Sequence, residues 1–531
     1  EFMLDASFTG NLEEYQANAT FTDATVVHEQ EVYPVGTVWV NAFVKNDSTS
    51  IDLESRPVVG FLQSNANPAE FSTALSNYLS GYFNLSDSAT TSGDVVLNMN
   101  IAIKQDPLLN EILIPSLVQL DDASVKANFS EARQTLTADI NFPFLNYGGA
   151  EIDSLGVAVR SDSSGLDFKF GFASLITGPI DMHKTLISGD LDESQMLLDI
   201  QFFDEEELLT QVSSEIDFLP DSLQIKFLPE NLILDKIVWD VPQTNRLTFS
   251  NQEITLRDML FTSANQQIEL TDKLDSLERP HIAALFDGFQ LKNLTSFLNP
   301  ETVLANGNMQ GSLIVQKPFG ALGILADLTI DSLAVMEADL GTLTVNAEAK
   351  SIGNYALAAG LKGGGIDLDI LGDFTASEEA ASFDLDVDLN RIDLAILENL
   401  LPEDITQAGG VLEGKITANG TTLDPIYEGL LTFKDASITP TILGTKYLFE
   451  NEAISLDNAG VYLDNFTIQD ESNNTFIVDG EIGTESLINP TLDLSVTADR
   501  FLAINSTDQE SELFFGKALI DADITVKGDL L

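Results

Sequence analysis

Between Phe383 and Asn390 the chain reads Phe-Asp-Leu-Asp-Val-Asp-Leu-Asn, apolar and acidic residues alternating with a period of two. That period puts the apolar side chains on one face of a strand and the carboxylates on the other. The pattern returns at Ile324, Ala326, Leu328, Ile330; at Leu343, Val345, Ala347, Ala349; at Leu492, Leu494, Val496, Ala498; and at Ala518, Ile520, Ala522, Ile524, Val526. The candidate lining of a dry face is therefore Ile324, Leu328, Ile330, Leu343, Val345, Phe383, Leu385, Val387, Leu389, Leu492, Leu494, Val496, Ile520, Ile524 and Val526. Such a face must be covered, either by a second sheet in a sandwich or, in a long one-layer groove, by a ligand with apolar tails. The small residues Ala347, Ala349, Ala498, Ala518 and Ala522 suit a space left open better than an interdigitated core.

Helical periodicity is rare. Phe71, Leu75, Tyr78, Leu79 and Phe83 follow it after Pro68; Leu108, Leu109, Ile112 and Leu113 make a second short stretch; Leu208, Leu209, Val212 and Ile216 a third. Elsewhere short apolar runs such as Leu166, Phe168, Phe170, Phe172 and Leu223–Phe227 are punctuated by Asn, Asp, Gly and Ser. Turn signals every 8 to 12 residues or so predict a mainly β body of antiparallel neighbours with little helix.

A repeat runs through the second half. Phe289, Leu291, Leu294, Phe297, Leu298, Pro300, Gly307 and Gly311 align with Ile392, Leu394, Leu397, Leu400, Leu401, Pro402, Gly410 and Gly414. The spacing holds across the unit, since 392−289 and 414−311 both give 103. Each copy predicts a short apolar helix followed by a strand meander, the mark of an array rather than one compact core. A partial echo at Phe501-Leu502, Gly516 and Gly528 replaces the helix with the loop Asn505–Glu510.

Composition narrows the partners. Lys and Arg number 25 against 84 Asp and Glu, a net charge of −59, and the bases are scattered, which weighs against nucleic acid and an anionic membrane surface as partners. Carried on outward strand positions, this charge keeps a sheet-rich molecule soluble and blunts edge pairing. The absence of cysteine in 531 residues removes disulfides, thiolate nucleophiles and cysteine metal sites. There is no apolar run of about 18 residues to span a membrane and no signal peptide. The opening Glu1-Phe2-Met3 reads as a cloning remnant and the close at Gly528–Leu531 follows directly on a strand, so an internal piece of a longer protein is expected.

The stretches Arg500–Thr507, Leu513–Ala518 and Ile524–Gly528 resemble the C-terminal region of TamB, a member of the AsmA-like group of envelope proteins in double-membrane bacteria. Trp239-Asp-Val241, Asn245, Phe249, Ile254, Leu256 and the strand Gln266-Gln-Ile268 resemble a second block of that family, and the helix-then-glycine repeat fits its pattern. The resemblance implies an elongated, antiparallel repeating β-groove: a taco-shaped, open one-layer sheet with a few short amphipathic helices, as in bridge-like lipid transfer proteins. It divides the chain into a less clearly repetitive β-groove segment, 1–280, two groove repeats, 281–390 and 391–498, and the start of the TamB-like C-terminal region, 499–531. The implied function is a non-enzymatic conduit for phospholipid between inner and outer membranes, supporting outer-membrane biogenesis. The implied setting is the periplasm, with the full-length protein anchored in the inner membrane. Its partners are phospholipid acyl chains and an outer-membrane barrel protein of the TamA/BamA type, reached through regions outside this sequence. Independently, strands every dozen residues would number on the order of 40, and at about 4.8 Å each a continuous stack would extend roughly 190 Å.

Chemistry has little to stand on. Asp384, Asp386 and Asp388 lie in line along a strand without the glycine and closing glutamate of a calcium loop. His28, His183 and His281 are far apart, with no metal-ligand spacing. Gly363–Gly365 lacks the Lys and Ser/Thr of a phosphate loop and reads as a turn or bulge. No nucleophile elbow occurs, so the sequence predicts neither enzyme nor cofactor. Asn-x-Ser/Thr triplets at Asn18, Asn84, Asn128, Asn293, Asn419, Asn465 and Asn505 arise by chance in so Asn-, Ser- and Thr-rich a chain. Two classes remain: a lipid conduit whose lining is covered by mobile acyl chains, and a closed structural or adhesive β-solenoid or sandwich array in which side chains meet side chains.

Overall fold

The computed structural model describes all residues except 1–2, 12–13, 29–30, 84–92, 193, 403, 485–489, 507–514 and 530–531, with residue 23 described by its backbone alone. The described residues are mainly strand (70%, with 7% helix), in large antiparallel sheets that do not close into a barrel. The strands fall into a 20-stranded and a 17-stranded sheet. The chain forms two compact units, Glu1–Ser263 with Asn293–Glu301, and Ala264–Lys292 with Thr302–Leu531.

In the first unit nearly every strand pairs with its successor, from Met3–Gly10 against Tyr15–His28 to Arg246–Ser250 against Glu253–Arg257. Three detours break the meander, the smallest being Ile237–Val238, which shares one side of Ser222–Leu234 with Arg246–Ser250. Leu117–Leu120 lines up with the far end of Thr135–Tyr147, beyond Ala123–Ser130. The hairpin Ser174–Thr177 and Ile180–Met182 prolongs the pair Gly165–Phe172 and Thr185–Asp192 past a break at Ala173. The second unit is a plainer meander, Gln266–Thr271 to Gly516–Asp529, in which Tyr447–Phe449 and Ala453–Asp457 share one side of Pro425–Pro440.

One sequence expectation fails here. Leu208, Leu209, Val212 and Ile216 lie on the strand Glu207–Leu219, not on a helix. Thr210, Val212, Ser214 and Ile216 face the same way, opposite Phe202, Ile200, Leu198 and Met196. The hydroxyls on that face break the apolar alternation, while Leu209, buried on the other face, completes a false helical period. The other two stretches are helical: Pro68–Phe83 is an α-helix and Leu108–Leu113 a single π-turn. Both copies of the repeat carry helix at the expected place, a 3₁₀ turn at Leu291–Leu294 and the pair Leu394–Ile396, Leu397–Leu400. Gly364 and Gly365, at φ 52° and 85°, make the turn between Asn354–Gly363 and Ile366–Thr375. Of the loop Asn505–Glu510, residues 507–510 lie outside the described residues; Asn505 and Ser506 end a strand.

β-Bulges recur in the second unit between Phe286 and Phe289, Ile330 and Leu333, Leu389 and Ile392, Leu463 and Phe466, and Ala498 and Phe501. At four of them the extra residue is left-handed: Gly288 (φ 62°), Ser332 (52°), Asn465 (48°) and Arg500 (48°). A bulge bends its strand and restores the facing after an odd step. Phe289, Leu333, Phe466 and Phe501, just past the bends, are among the buried residues of the unit.

In the first unit a buried side chain takes over where a ladder stops. Arg246–Ser250 pairs with Ser222–Leu234 only as far as Leu247 opposite Ile225. Fully buried Asn245 then accepts from the Phe227 N–H through Oδ1 (2.8 Å) and donates through Nδ2 to the Phe227 (2.8 Å) and Pro242 (2.7 Å) carbonyls, beside buried Trp239 and Val241. Asn245→Ala strands those groups away from water and is expected to cost about 2–3 kcal/mol, read as a lowered denaturant midpoint with unchanged slope.

Candidate functional site

Residues directly opposite each other in antiparallel strands point to the same face, so the register traces what lines each sheet. In the second unit one row runs Ile268, Phe286, Gly311, Leu328, Val345, Ala359, Ile370, Val387, Ile416, Gly429, Leu456, Val461, Ile482 and Leu492. No polar side chain interrupts it. Beside it lies a second row, Ile330, Leu343, Leu361, Leu368, Leu389, Gly414, Leu431, Ile454, Leu463, Gly480, Leu494 and Val526. At about 4.8 Å between strands the first row is roughly 60 Å long, measured along the sheet.

Every candidate lining residue falls on this face. Leu328, Val345, Val387 and Leu492 belong to the first row, and Ile330, Leu343, Leu389, Leu494 and Val526 to the second. Leu385 stands opposite Gly372 and Ala418, Phe383 opposite Phe374 and Gly420, and Ile324 opposite Val315. Val496 faces Val478 and Ile524, and Ile520 faces Phe501. Ile330 and Val496 are buried; Ile524 and Val526, on a strand paired on one side only, are 52% and 37% exposed; the rest are half-buried. Half-burial is what an apolar face shows when sheet neighbours cover its flanks and no protein covers its top.

The face is covered at its margins. Tyr355, buried, donates its hydroxyl to Gln316 Oε1 (2.9 Å) and has the Phe374 ring 6.2 Å away. At the other margin Leu394 and Leu397 of the repeat's helix pack with Phe433, Phe449 and Phe466. The opposite face is acidic, with Asp369 across from Asp388 and Asp373 across from Asp384. Lysines sit between these carboxylates: Lys362 3.1 Å from Asp369, Lys415 2.5 Å from Asp388 and Lys527 2.8 Å from Asp493. The Asp388 hydrogen bond raises the Lys415 ammonium above its ordinary range. Such exposed pairs add little stability; they relieve like charges set opposite one another.

The first unit carries a row of the same kind that the sequence pattern did not disclose. Ala6, Ala19, Val40, Leu53, Gly60, Ile101, Val125, Ile140, Val157, Phe170, Ile187, Ile200, Val212 and Leu232 stand opposite one another in turn. Helix Pro68–Phe83 lies over one side of this face, with Phe71, Leu75, Tyr78 and Leu79 on Leu62, Leu97, Phe129, Leu136 and Val159. The Tyr78 hydroxyl is 2.7 Å from the Tyr82 hydroxyl and 2.8 Å from Ser161 Oγ, and it donates to the Gln134 carbonyl (2.9 Å). Burial, then the Tyr78 hydrogen bond, raise the Tyr82 phenol well above its ordinary range, so this seat stays uncharged. The Leu108–Leu113 turn packs Leu109 against Leu117, Leu120, Ile103, Phe142 and Leu145. Phe297 of the segment Asn293–Glu301 stacks on Phe202 at 4.3 Å.

Asp384, Asp386 and Asp388 point away from the lining, and among the described residues no group of three or more acids and histidines is placed to hold a metal ion. No helix of the described residues is long and apolar enough to cross a membrane.

No curated protein matches the chain. A family model, the TamB C-terminal domain, matches residues 464–531, from the last bulged hairpins of the second unit to the end of the sequence. The strands Gly460–Gln469, Thr475–Gly483, Thr491–Ser506 and Gly516–Asp529 that carry this match continue the second apolar row of the unit, Leu463, Gly480, Leu494 and Val526 standing opposite one another in turn. Residues 464–531, on the strands that end the second unit, thus carry the likeness to the TamB C-terminal domain.

Proposed function

We propose that the protein is a non-enzymatic conduit for phospholipid, its acyl chains held against the apolar rows and its headgroups left in water at the open side. TamB-like proteins are envelope proteins tied to outer-membrane assembly and associated with TamA-type outer-membrane proteins, a setting in which lipid must cross water. The observation that carries the reading is the row Ile268 to Leu492, apolar or glycine at each position and half-buried for most of its length. Exposing two sixteen-carbon tails to water costs on the order of 25 kcal/mol at about 0.8 kcal/mol per methylene, and contact with such a row removes most of that. A lining without polar side chains offers no point at which a tail is gripped, so it suits passage rather than storage. Direction then comes from supply at one membrane and use at the other.

The competing class is a closed array with no lipid ligand. Organic extraction of the protein, purified without detergent, followed by mass spectrometry is expected to yield phospholipid. Clean recovery of protein with no phospholipid overturns the conduit and favours the closed array.

A further inference from the structure

Gly189 sits in the lining of the first unit between Phe168 and Leu198, in the row that continues from Phe168 to Val159. Its own φ lies outside the left-handed region, so the backbone there accepts any L residue. What it lacks is room. The three atoms nearest to the place a Cβ would occupy all belong to the Phe168 ring, the farthest of them at 3.0 Å. The ring therefore lies down on Gly189 instead of standing on the sheet. Sideways escape is blocked: Val159 is packed beneath helix Pro68–Phe83, Leu166 is buried two residues before, and Phe170 stands two residues after in the neighbouring apolar row. A side chain at 189 leaves the ring one direction, up from the sheet into the space over the rows.

Gly429 repeats the device in the second unit. The atoms nearest its missing Cβ are Ile416 Cγ1 at 2.9 Å, the Lys415 carbonyl at 3.2 Å and Leu456 Cγ at 3.3 Å, so two lining side chains lean over the gap. Gly372 and Gly414 differ, because there the nearest atoms are carbonyl oxygens of the adjoining strand. At those two a strand carbonyl comes first, with Leu385 Cδ2 at 2.7 Å and Leu431 Cδ2 at 2.8 Å next, whereas at Gly189 the three nearest atoms all belong to one lining side chain.

We propose that Gly189 is a positioning residue for lipid passage: by having no side chain it keeps the Phe168 ring flat and the lining low enough for acyl chains to slide past. This rests on the conduit reading. The test loads the full chain with a phosphatidylglycerol bearing a pyrene-labelled acyl chain and follows its exchange into vesicles of unlabelled phosphatidylglycerol and phosphatidylethanolamine, with thermal melting recorded alongside. Gly189→Ala is expected to slow exchange about fivefold, equivalent to about 1 kcal/mol of added barrier where the raised ring stands in the acyl path, while the protein still folds and melts cooperatively. Gly189→Ala combined with Phe168→Leu is expected to restore the rate, which a purely structural role for the glycine would not do. Phe168→Trp, which enlarges the ring and leaves Gly189 alone, is expected to slow exchange as well and keeps the test open if Gly189→Ala folds poorly. A wild type that loads and exchanges lipid while Gly189→Ala matches it, or a slowed rate that Phe168→Leu does not restore, overturns this inference and leaves the conduit standing. A wild type that takes up no lipid overturns both.

Discussion

Val387→Glu is expected to leave the second unit folded and to stop lipid from passing it. Val387 is half-buried near the middle of the row Ile268 to Leu492, between Ile370 and Ile416. In a lipid-free protein a glutamate there reaches water over the open face, so its cost to folding is that of an ordinary surface change, about 1 kcal/mol or less. With an acyl chain pressed on the row, the carboxylate must be dried without a partner, which costs several kcal/mol, on the order of the burial of an unpaired polar group. Exchange of lipid is therefore expected to fall by more than about tenfold, since ~1.4 kcal/mol already accounts for a factor of ten. Leu385→Asp, two residues away on the same face, is expected to behave alike. Asp386→Asn, on the other face, is expected to leave exchange unchanged. Normal exchange in Val387→Glu with an intact melting transition sinks the proposed conduit.

The largest expected loss of stability is at Asp470, inside the region matched by the TamB C-terminal domain. Its side chain is 1% exposed and accepts from the backbone N–H groups of Ser472 (2.8 Å), Asn474 (2.9 Å) and Leu502 (3.0 Å) and from Asn474 Nδ2 (2.8 Å). The first two shape the turn between Gly460–Gln469 and Thr475–Gly483; the third ties it to the strand Thr491–Ser506 just past the bulge at Arg500. Burial pushes this carboxyl up, but the donors from Asn474, Leu502 and Ser472 together outweigh it and hold it below the usual carboxylate range. Asp470→Ala strands these donors and is expected to cost about 3 kcal/mol in denaturant unfolding at neutral pH. Because the folded carboxyl is the stronger acid, its contribution is complete above the unfolded value of about 3.9 and is lost as pH falls through the lower folded value. Wild type and Asp470→Ala are accordingly expected to converge in acid; a gap that persists unchanged through that range rules out this account.

How much of this was legible depended on what occupied the inward positions. Strands such as Phe383–Leu389, with apolar residues inward and carboxylates outward, announce both their conformation and their lining face, because alternation survives any tertiary arrangement. In the first unit the inward set includes Thr210, Ser214, Gly60 and several alanines, which carry no alternating signal although their neighbours across the sheet are Phe202, Leu198 and Ile101. Its apolar row is a property of the register between strands and of no single strand. The bulges hid in a similar way. An apolar pair three apart in a two-residue pattern, as at Phe286 and Phe289 or Leu463 and Phe466, is the trace they leave, and it mimics a helical step until a partner strand shows the skipped residue.

What the amino-acid sequence determined by itself was the class of the fold, the acidic outward face, the repeat of 103 residues with its short helices, and the TamB-like C-terminal strands, all of them local patterns that need no partner to be read. What only the tertiary structure decided was which residues of different strands stand opposite one another. Continuity of the lining within each unit, the covering of its margin by helix Pro68–Phe83 in the first and by Leu394–Leu400 in the second, and the lowering of Phe168 onto Gly189 all follow from that register. Hydrogen bonding between strands sets it across dozens of residues, where no single segment holds the information.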